Sequence, residues 1–380
     1  MKVVVAIDSF KESLSSIEAG TAVKEGILAA IPEAEVQISP VADGGEGTTS
    51  ALTWGMGGIL EHIEVTGPLG AGVRCTYGRI PATDTAIIEM AEAAGIMLVP
   101  VEKRNPLHTT TYGVGEAIKD AIQKGCRHFI IGIGGSATND GGIGMLQALG
   151  YGMLDAEGNP IPFGAKGLER LSSISEEGVI PELSECTFRV ACDVTNPLCG
   201  ERGCSKVFGP QKGATSDMIP KMDMWLTRFA ELTSEKYEKA DADFPGAGAA
   251  GGLGFAFLSY TNATLEPGIQ IVLEETGLEE KIKEADFVVT GEGRLDSQTI
   301  YGKVPAGVAK IAKKYGKPVI AFCGAATKEA AICNEHGIDA YFPILQRVQT
   351  LQEAMDAECA RANLRDSAQQ VFRLIRKITK

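Results

Sequence analysis

Two hydrophobic periods alternate along this chain. Residues 2–8 read Lys-Val-Val-Val-Ala-Ile-Asp, an apolar run closed by an acid, which predicts a strand buried on both faces. Ser15 and Glu18 are spaced as a capping box. Val23, Ile27, Ala30 and Ile31 then recur at helical spacing up to Pro32, and residues 35–40 read as a second strand. The same grammar returns near the C-terminus. Residues 287–290 form a short apolar strand, and Pro305 suits a first helical turn continued by Val308, Ile311 and Ala312 to Gly316. Residues 318–323 and 340–345 are two more strands, with a helix from Thr327 to Gly337 between them. Thr350 and Glu353 cap a long last helix.

Five strands separated by helices, two at one end and three at the other, predict one doubly wound parallel sheet of flavodoxin-like type, interrupted by an insertion. The expected fold class is α/β with two α/β domains. A discontinuous flavodoxin-like domain covers residues 1–58 and 281–380, and an inserted mixed α/β domain covers 59–280. The insertion opens with strand-like 59–65, 73–80 and 86–90 and continues with a helix–strand–helix passage around 129–133. Pattern alone leaves its topology open.

Composition narrows the function. A chain of 380 residues suits two domains. Its net charge of -13 argues against a nucleic-acid or anionic-membrane surface. It does not argue against phosphate bound by a local Lys or Arg. Nine Cys with no CxxC pair and no secretory segment read as reduced thiols of a cytoplasmic protein. No run approaches the length of a membrane span. The 46 Gly are clustered, which suggests backbone brought close to ligands.

The unusual residues fall where open parallel sheets bind ligands, beyond the carboxyl ends of the strands. Asp8-Ser9-Phe10-Lys11 follows the first strand, Asp43-Gly44-Gly45-Glu46-Gly47 the second, Gly291-Glu292-Gly293-Arg294-Leu295-Asp296 the third and Gly324 the fourth. In the insertion, residues 132–142 follow an apolar strand and precede a helix-like run. Backbone N–H groups at Gly134 and Gly135, with Ser136 and Thr138, could cradle phosphate oxygens, with Asn139 or Asp140 as alternatives for a cap. Asp193, beside Asn196 at the end of strand-like 188–192, either binds Mg²⁺ or orients a hydroxyl, or forms a turn before Pro197. Lys212 and Lys303 sit next to Gly and could touch a phosphate or carboxylate.

Gly246, Gly248 and Gly251 match a dinucleotide GxGxxG, but no βαβ unit frames them, so an NAD(P)-dependent dehydrogenase is a distant alternative. There is no Walker A, HExxH or GxSxG, and none of the four His falls in these blocks, which weighs against Ser-His chemistry.

Taken in order, these blocks resemble the bacterial class I glycerate kinases of the glycerate 2-kinase type, over essentially the whole chain. The likeness is carried by residues 8–13, 40–48, 66–70, 132–142, 191–198, 208–214, 245–252, 290–294 and 302–305. Ile7 departs from it, since the family usually has Pro before the first Asp. The resemblance implies ATP-dependent phosphorylation of D-glycerate, typically to 2-phosphoglycerate, feeding glyoxylate or aldarate carbon into glycolysis. A 3-phosphoglycerate product or another small hydroxy acid is the alternative.

Joined to the residue reading, it gives a set of expectations. Lys11 and Arg294 hold the glycerate carboxylate or the transferring phosphoryl group. Asp193 orients the hydroxyl or takes its proton. Asp8, Ser9, Asp43, Gly44, Gly45 and Lys303 contact substrate. Gly134, Gly135, Ser136, Asn139 and Asp140 hold ATP. Asp43 and Asp193, or Asp8, hold Mg²⁺. The expected partner is the small-molecule substrate alone, with no nucleic acid or membrane, and the chain is expected as a monomer or homodimer.

Overall fold

A computed structural model describes residues 1–379. It contains strands β1 (Lys2–Val5), β2 (Glu35–Ile38), β3 (Ile59–Thr66), β4 (Gly72–Ile80), β5 (Thr85–Glu89), β6 (His128–Gly132) and β7 (Gly152–Leu154). They are followed by β8 (Ser173–Ser175), β9 (Thr187–Ala191), β10 (Asn262–Glu266), β11 (Phe287–Leu295), β12 (Val319–Ala326) and β13 (Ala340–Pro343). Two compact units arise. One holds residues 1–43, 50–56 and 269 onward; the other holds 44–49 and 57–268.

The first unit is built on a five-stranded sheet ordered β13-β12-β11-β1-β2, with every neighbouring pair parallel. Counted within the unit, this is the flavodoxin order, 2-1-3-4-5. The apolar run of β1 is buried on both faces, as Val3, Val4 and Val5 show. On one face, helices Ser16–Ala30 and Ala357–Ile378 close a core of Val3, Val5, Val23, Ile27, Leu364 and Phe372. Helices Leu278–Glu284 and Val304–Lys314 pack on the sheet as the other layer. The capping box at Ser15 is formed.

Three features of this unit differ from the pattern-based expectation. β11 does not stop near Thr290 but runs to Leu295, paired with β12 as far as Ala326. Beyond Gly291, whose carbonyl accepts the Asp8 N–H at 2.9 Å, β1 no longer accompanies it. The two strands continue as a ribbon facing a cavity, so Glu292 and Arg294 break the apolar signal without breaking the strand. The last helix is two helices. The Thr350–Glu353 box caps only Leu351–Met355, and Asp356, in extended backbone, caps a new helix by accepting from Cys359 N–H. Residues 269–280, counted on pattern with the insertion, belong to the first unit, where Ile269 packs against Gly307.

The second unit carries a six-stranded mixed sheet ordered β10-β9-β6-β5-β4-β3. β10, β9, β6 and β5 are parallel, and β4 and β3 add an antiparallel edge. Its core includes Ile88, Ile118, Phe129, Phe188, Leu226 and Phe257, with Phe129 and Phe188 stacked at 4.7 Å. Among the described residues no helix is long and apolar enough to cross a membrane.

Candidate active site

In the first unit the strand ends converge as their sheet order dictates. β1 and β11 are neighbours at the position where the strand order reverses, and there ligands bind in such sheets. A cavity of about 600 Å³ opens at that place, lined by Asp8, Ser9, Lys11, Asp43, Glu292 and Arg294, with Lys303 beside them. Six of the expected site residues (Asp8, Ser9, Lys11, Asp43, Arg294 and Lys303) therefore meet in one pocket. Glu292, which was read only as part of a strand-end block, joins them.

Local structure fixes each group. Asp8 is buried, and its Oδ1 accepts the Ser9 N–H at 2.6 Å. Residues 10–14 then fold into a tight turn closed by Phe10 N–H to Leu14 O at 2.8 Å, with Lys11 exposed at its tip. Glu292 accepts from Thr299 Oγ1 at 2.7 Å and lies 3.5 Å from Lys303 Nζ. Arg294 is more loosely held, 3.7 Å from Asp296, and its side chain is 67% exposed. Burial, reinforced by the charge of Asp43, pushes the Asp8 carboxyl up to about 7, against the opposing pull of the Ser9 N–H; Glu292 raises it further and Lys11 lowers it. Burial likewise raises Glu292, opposed by Thr299 and Lys303.

This crowding of acids is the chemistry of a cation site. A divalent ion would relieve the repulsion among Asp8, Asp43 and Glu292, and Mg²⁺ is commonly bound by one or two carboxylates plus substrate phosphates. Among the described residues no cluster of three or more His, Cys, Asp or Glu has metal-holding geometry. The residues fit an ion that shares its coordination with nucleotide phosphates and water.

In the second unit, several expected site residues have structural roles. Gly44 packs into the end of the six-stranded sheet. A Cβ on it would stand 2.8 Å from Ala191 Cβ and 3.0 Å from Gly268 Cα, and its φ is +92°. Only Gly fits there. Gly45 continues this segment near Gly134. Asn139 and Asp140 are fully buried. Asn139 donates to Ser205 Oγ at 2.9 Å. Asp140 accepts from Thr111 N–H, Thr111 Oγ1 and Gly142 N–H, and burial raises its pKa. Asp193 Oδ1 accepts Gly268 N–H at 3.0 Å, at the start of helix Gly268–Glu275.

Gly134 and Gly135 are exposed, while Ser136 beside them is buried. Lys212 Nζ, itself buried, donates to Ser136 Oγ at 2.7 Å and to Thr138 O at 2.6 Å. Burial pulls this ammonium down to about 8. Because Ser136 Oγ accepts from Lys212, its own O–H is directed elsewhere, which suits a donor to an anion. The Gly246–Gly254 segment is buried and packs on the same loop. A Cβ on Gly251 would lie 2.1 Å from Thr138 O, and one on Gly248 would lie 2.2 Å from Pro197 O. These glycines serve close packing, and among the described residues no strand leads directly into them, so the dinucleotide match has no Rossmann frame.

Sequence reading missed Glu89. It ends β5, is buried, and accepts from Thr49 N–H at 2.7 Å and Gly47 N–H at 3.3 Å. An acid closing the apolar run 86–90 was the available signal. Burial pushes its carboxyl from 4.5 up to about 7, opposed by the Thr49 N–H. Between those values the folded chain keeps a proton that the unfolded chain has released. The stability from this group is full below about 4.5 and is lost as pH rises through 7, a change of about 3 kcal/mol at 1.36 kcal/mol per pH unit. Glu89→Gln cannot ionise. It is expected to melt higher than the wild type by a margin that widens from pH 5.5 to about 7 and then levels off. A margin independent of pH would show that Glu89 ionises normally.

A flavodoxin-like sheet with carboxylates, Lys and Arg gathered at its switch point, joined to a second α/β unit, defines an enzyme built for a small anionic ligand. The glycerate kinase family model matches residues 3–376, and the chain belongs to the glycerate kinase family. It is 50% identical to the glycerate 2-kinase of Escherichia coli K12 over 93% of each chain. It is 48% identical to the glycerate kinase of Haemophilus influenzae over 99% of each. A crystal structure described as a candidate glycerate kinase 2 of Salmonella typhimurium LT2 superposes with a TM-score of 0.92 at 48% identity, covering 100% of this chain and 99% of that one.

Proposed function

We propose that the chain transfers the γ-phosphoryl group of ATP, as its Mg²⁺ complex, to the 2-hydroxyl of D-glycerate, giving 2-phosphoglycerate and ADP. The reading places it in cytoplasmic organic-acid catabolism. The observation that carries it is the gathering of Asp8, Lys11, Asp43, Glu292, Arg294 and Lys303 on one cavity, in a chain half identical to a relative named glycerate 2-kinase.

Phosphoryl transfer needs positioning and charge neutralisation more than covalent chemistry. Arg294 and Lys11 are the groups for the glycerate carboxylate and the moving phosphoryl, with Lys303 held ready by Glu292. Asp43, with nucleotide phosphates, would hold Mg²⁺, which supplies charge neutralisation when bound. Asp8, just beyond the end of β1, would accept the hydroxyl proton. Asp193, expected from sequence in that role, is the competing assignment. In the second unit, Gly134, Gly135 and Ser136 offer donors to an anionic group of a ligand.

The test is incubation with Mg-ATP and D-glycerate, followed by phosphorus NMR. A 2-phosphoglycerate resonance is expected. A 3-phosphoglycerate resonance would keep the kinase and overturn the regiochemistry, and no product would overturn the reading.

A further inference from the structure

The cavity of the first unit is far larger than glycerate requires, and the sheet order gives it a direction. Its lining runs across strand ends from β1 (Asp8) through β11 (Glu292, Arg294) and β12 (Gly324–Thr327) to the turn after β13 (Ile344, Leu345). Adjacent strands lie about 4.8 Å apart, so this span is about 14 Å, on the scale of a nucleoside triphosphate. All the charged lining residues lie toward β1 and β11. Toward β13 the lining is Ile344, Leu345, Leu351, Ala354 and Met355.

Two observations give the apolar end its ligand chemistry. Leu351 is 75% exposed and Leu345 42% exposed, an apolar wall that a flat ring would cover. β12 also outlasts β13. Their pairing ends at Cys323–Pro343, and Ile344 N–H closes onto Cys323 O at 2.9 Å. Gly324, Ala325 and Ala326 continue with β11 on one side and, among the described residues, no strand on the other. A strand edge beside an apolar wall offers in-plane backbone polar groups and a greasy face, as a nucleobase requires.

We propose that the β12–β13 end of this cavity is the seat of the nucleobase of ATP. The ring lies between the Gly324–Ala326 edge and the wall of Leu345, Leu351, Ala354 and Met355. The phosphates run back over β11 toward Arg294, Lys303 and Lys11. This rests on the reading that ATP is the phosphoryl donor, and it moves the nucleotide from the Gly134–Asp140 loop to the flavodoxin-like unit.

The test uses the full chain and two variants, Ala354→Trp, which fills the seat, and Leu351→Ala, which trims an exposed side chain. Steady-state kinetics are combined with saturation-transfer NMR on ADP. Adenine H2 and H8 are expected to receive saturation from protein methyls. Ala354→Trp is expected to raise the KM for ATP at least tenfold and Leu351→Ala about threefold, with the KM for glycerate within twofold of wild type. If wild type binds ADP and turns over ATP while both variants keep the wild-type KM for ATP, the seat is overturned and the kinase reading stands. If wild type neither binds ADP nor consumes ATP, the donor reading falls and the seat with it.

Discussion

Asp8→Asn is expected to lower kcat by about 10²–10⁴, the range that a positioned general base contributes, while melting at least as high as the wild type at and above neutral pH, because burial pushes the Asp8 carboxyl up to about 7 and an amide has no charge to bury. The side chain is nearly isosteric. The amide oxygen can still accept the Ser9 N–H, and the backbone N–H still reaches Gly291 O. What is lost is a group able to take the proton of the glycerate hydroxyl. Asp193→Asn is the control that decides between the two carboxylates. Asp193 accepts Gly268 N–H, a role its amide can fill, so turnover within about tenfold of wild type is expected. Steady-state turnover and thermal melts on both variants check this. A large loss in Asp193→Asn with near-normal turnover in Asp8→Asn would move the base to the second unit.

Arg294→Ala is expected to reduce kcat/KM for glycerate by about 10²-fold, the effect of losing a charge-assisted hydrogen bond of about 1.5–3 kcal/mol. Stability should hardly move. The side chain is 67% exposed and only 3.7 Å from Asp296, and such surface substitutions usually stay within about 0.5 kcal/mol. Arg294→Lys separates charge from shape. A lysine restores the charge but not the planar fork, so partial recovery is expected if a carboxylate or phosphoryl is gripped at two points. Full recovery would mean that charge alone matters, and an unchanged kcat/KM in Arg294→Ala would remove Arg294 from the site.

The sequence by itself determined the flavodoxin-like sheet, because strands buried on both faces must be unbroken apolar runs and residues 2–7, 287–290 and 318–323 carry that signature. It also determined the helix start at Ser15, where capping is a matter of neighbours in sequence. And it placed Asp8 and Lys11 beyond the end of β1 and Arg294 after the apolar part of β11, and all three line one cavity. Elsewhere a residue's role depended on what packs against it. Tertiary structure alone decided that Gly44 fills a space against Ala191 and Gly268, that Asp140 is a buried acceptor for Thr111, and that Lys212 orients Ser136. A glycine beside a ligand and a glycine beside another backbone look alike in sequence, since both answer to the same lack of room for a Cβ. The continuation of β11 through Glu292 and Arg294 was hidden for a related reason. A strand that faces a charged cavity loses its hydrophobic pattern while keeping its hydrogen bonds, and only the partner strand β12 reveals it.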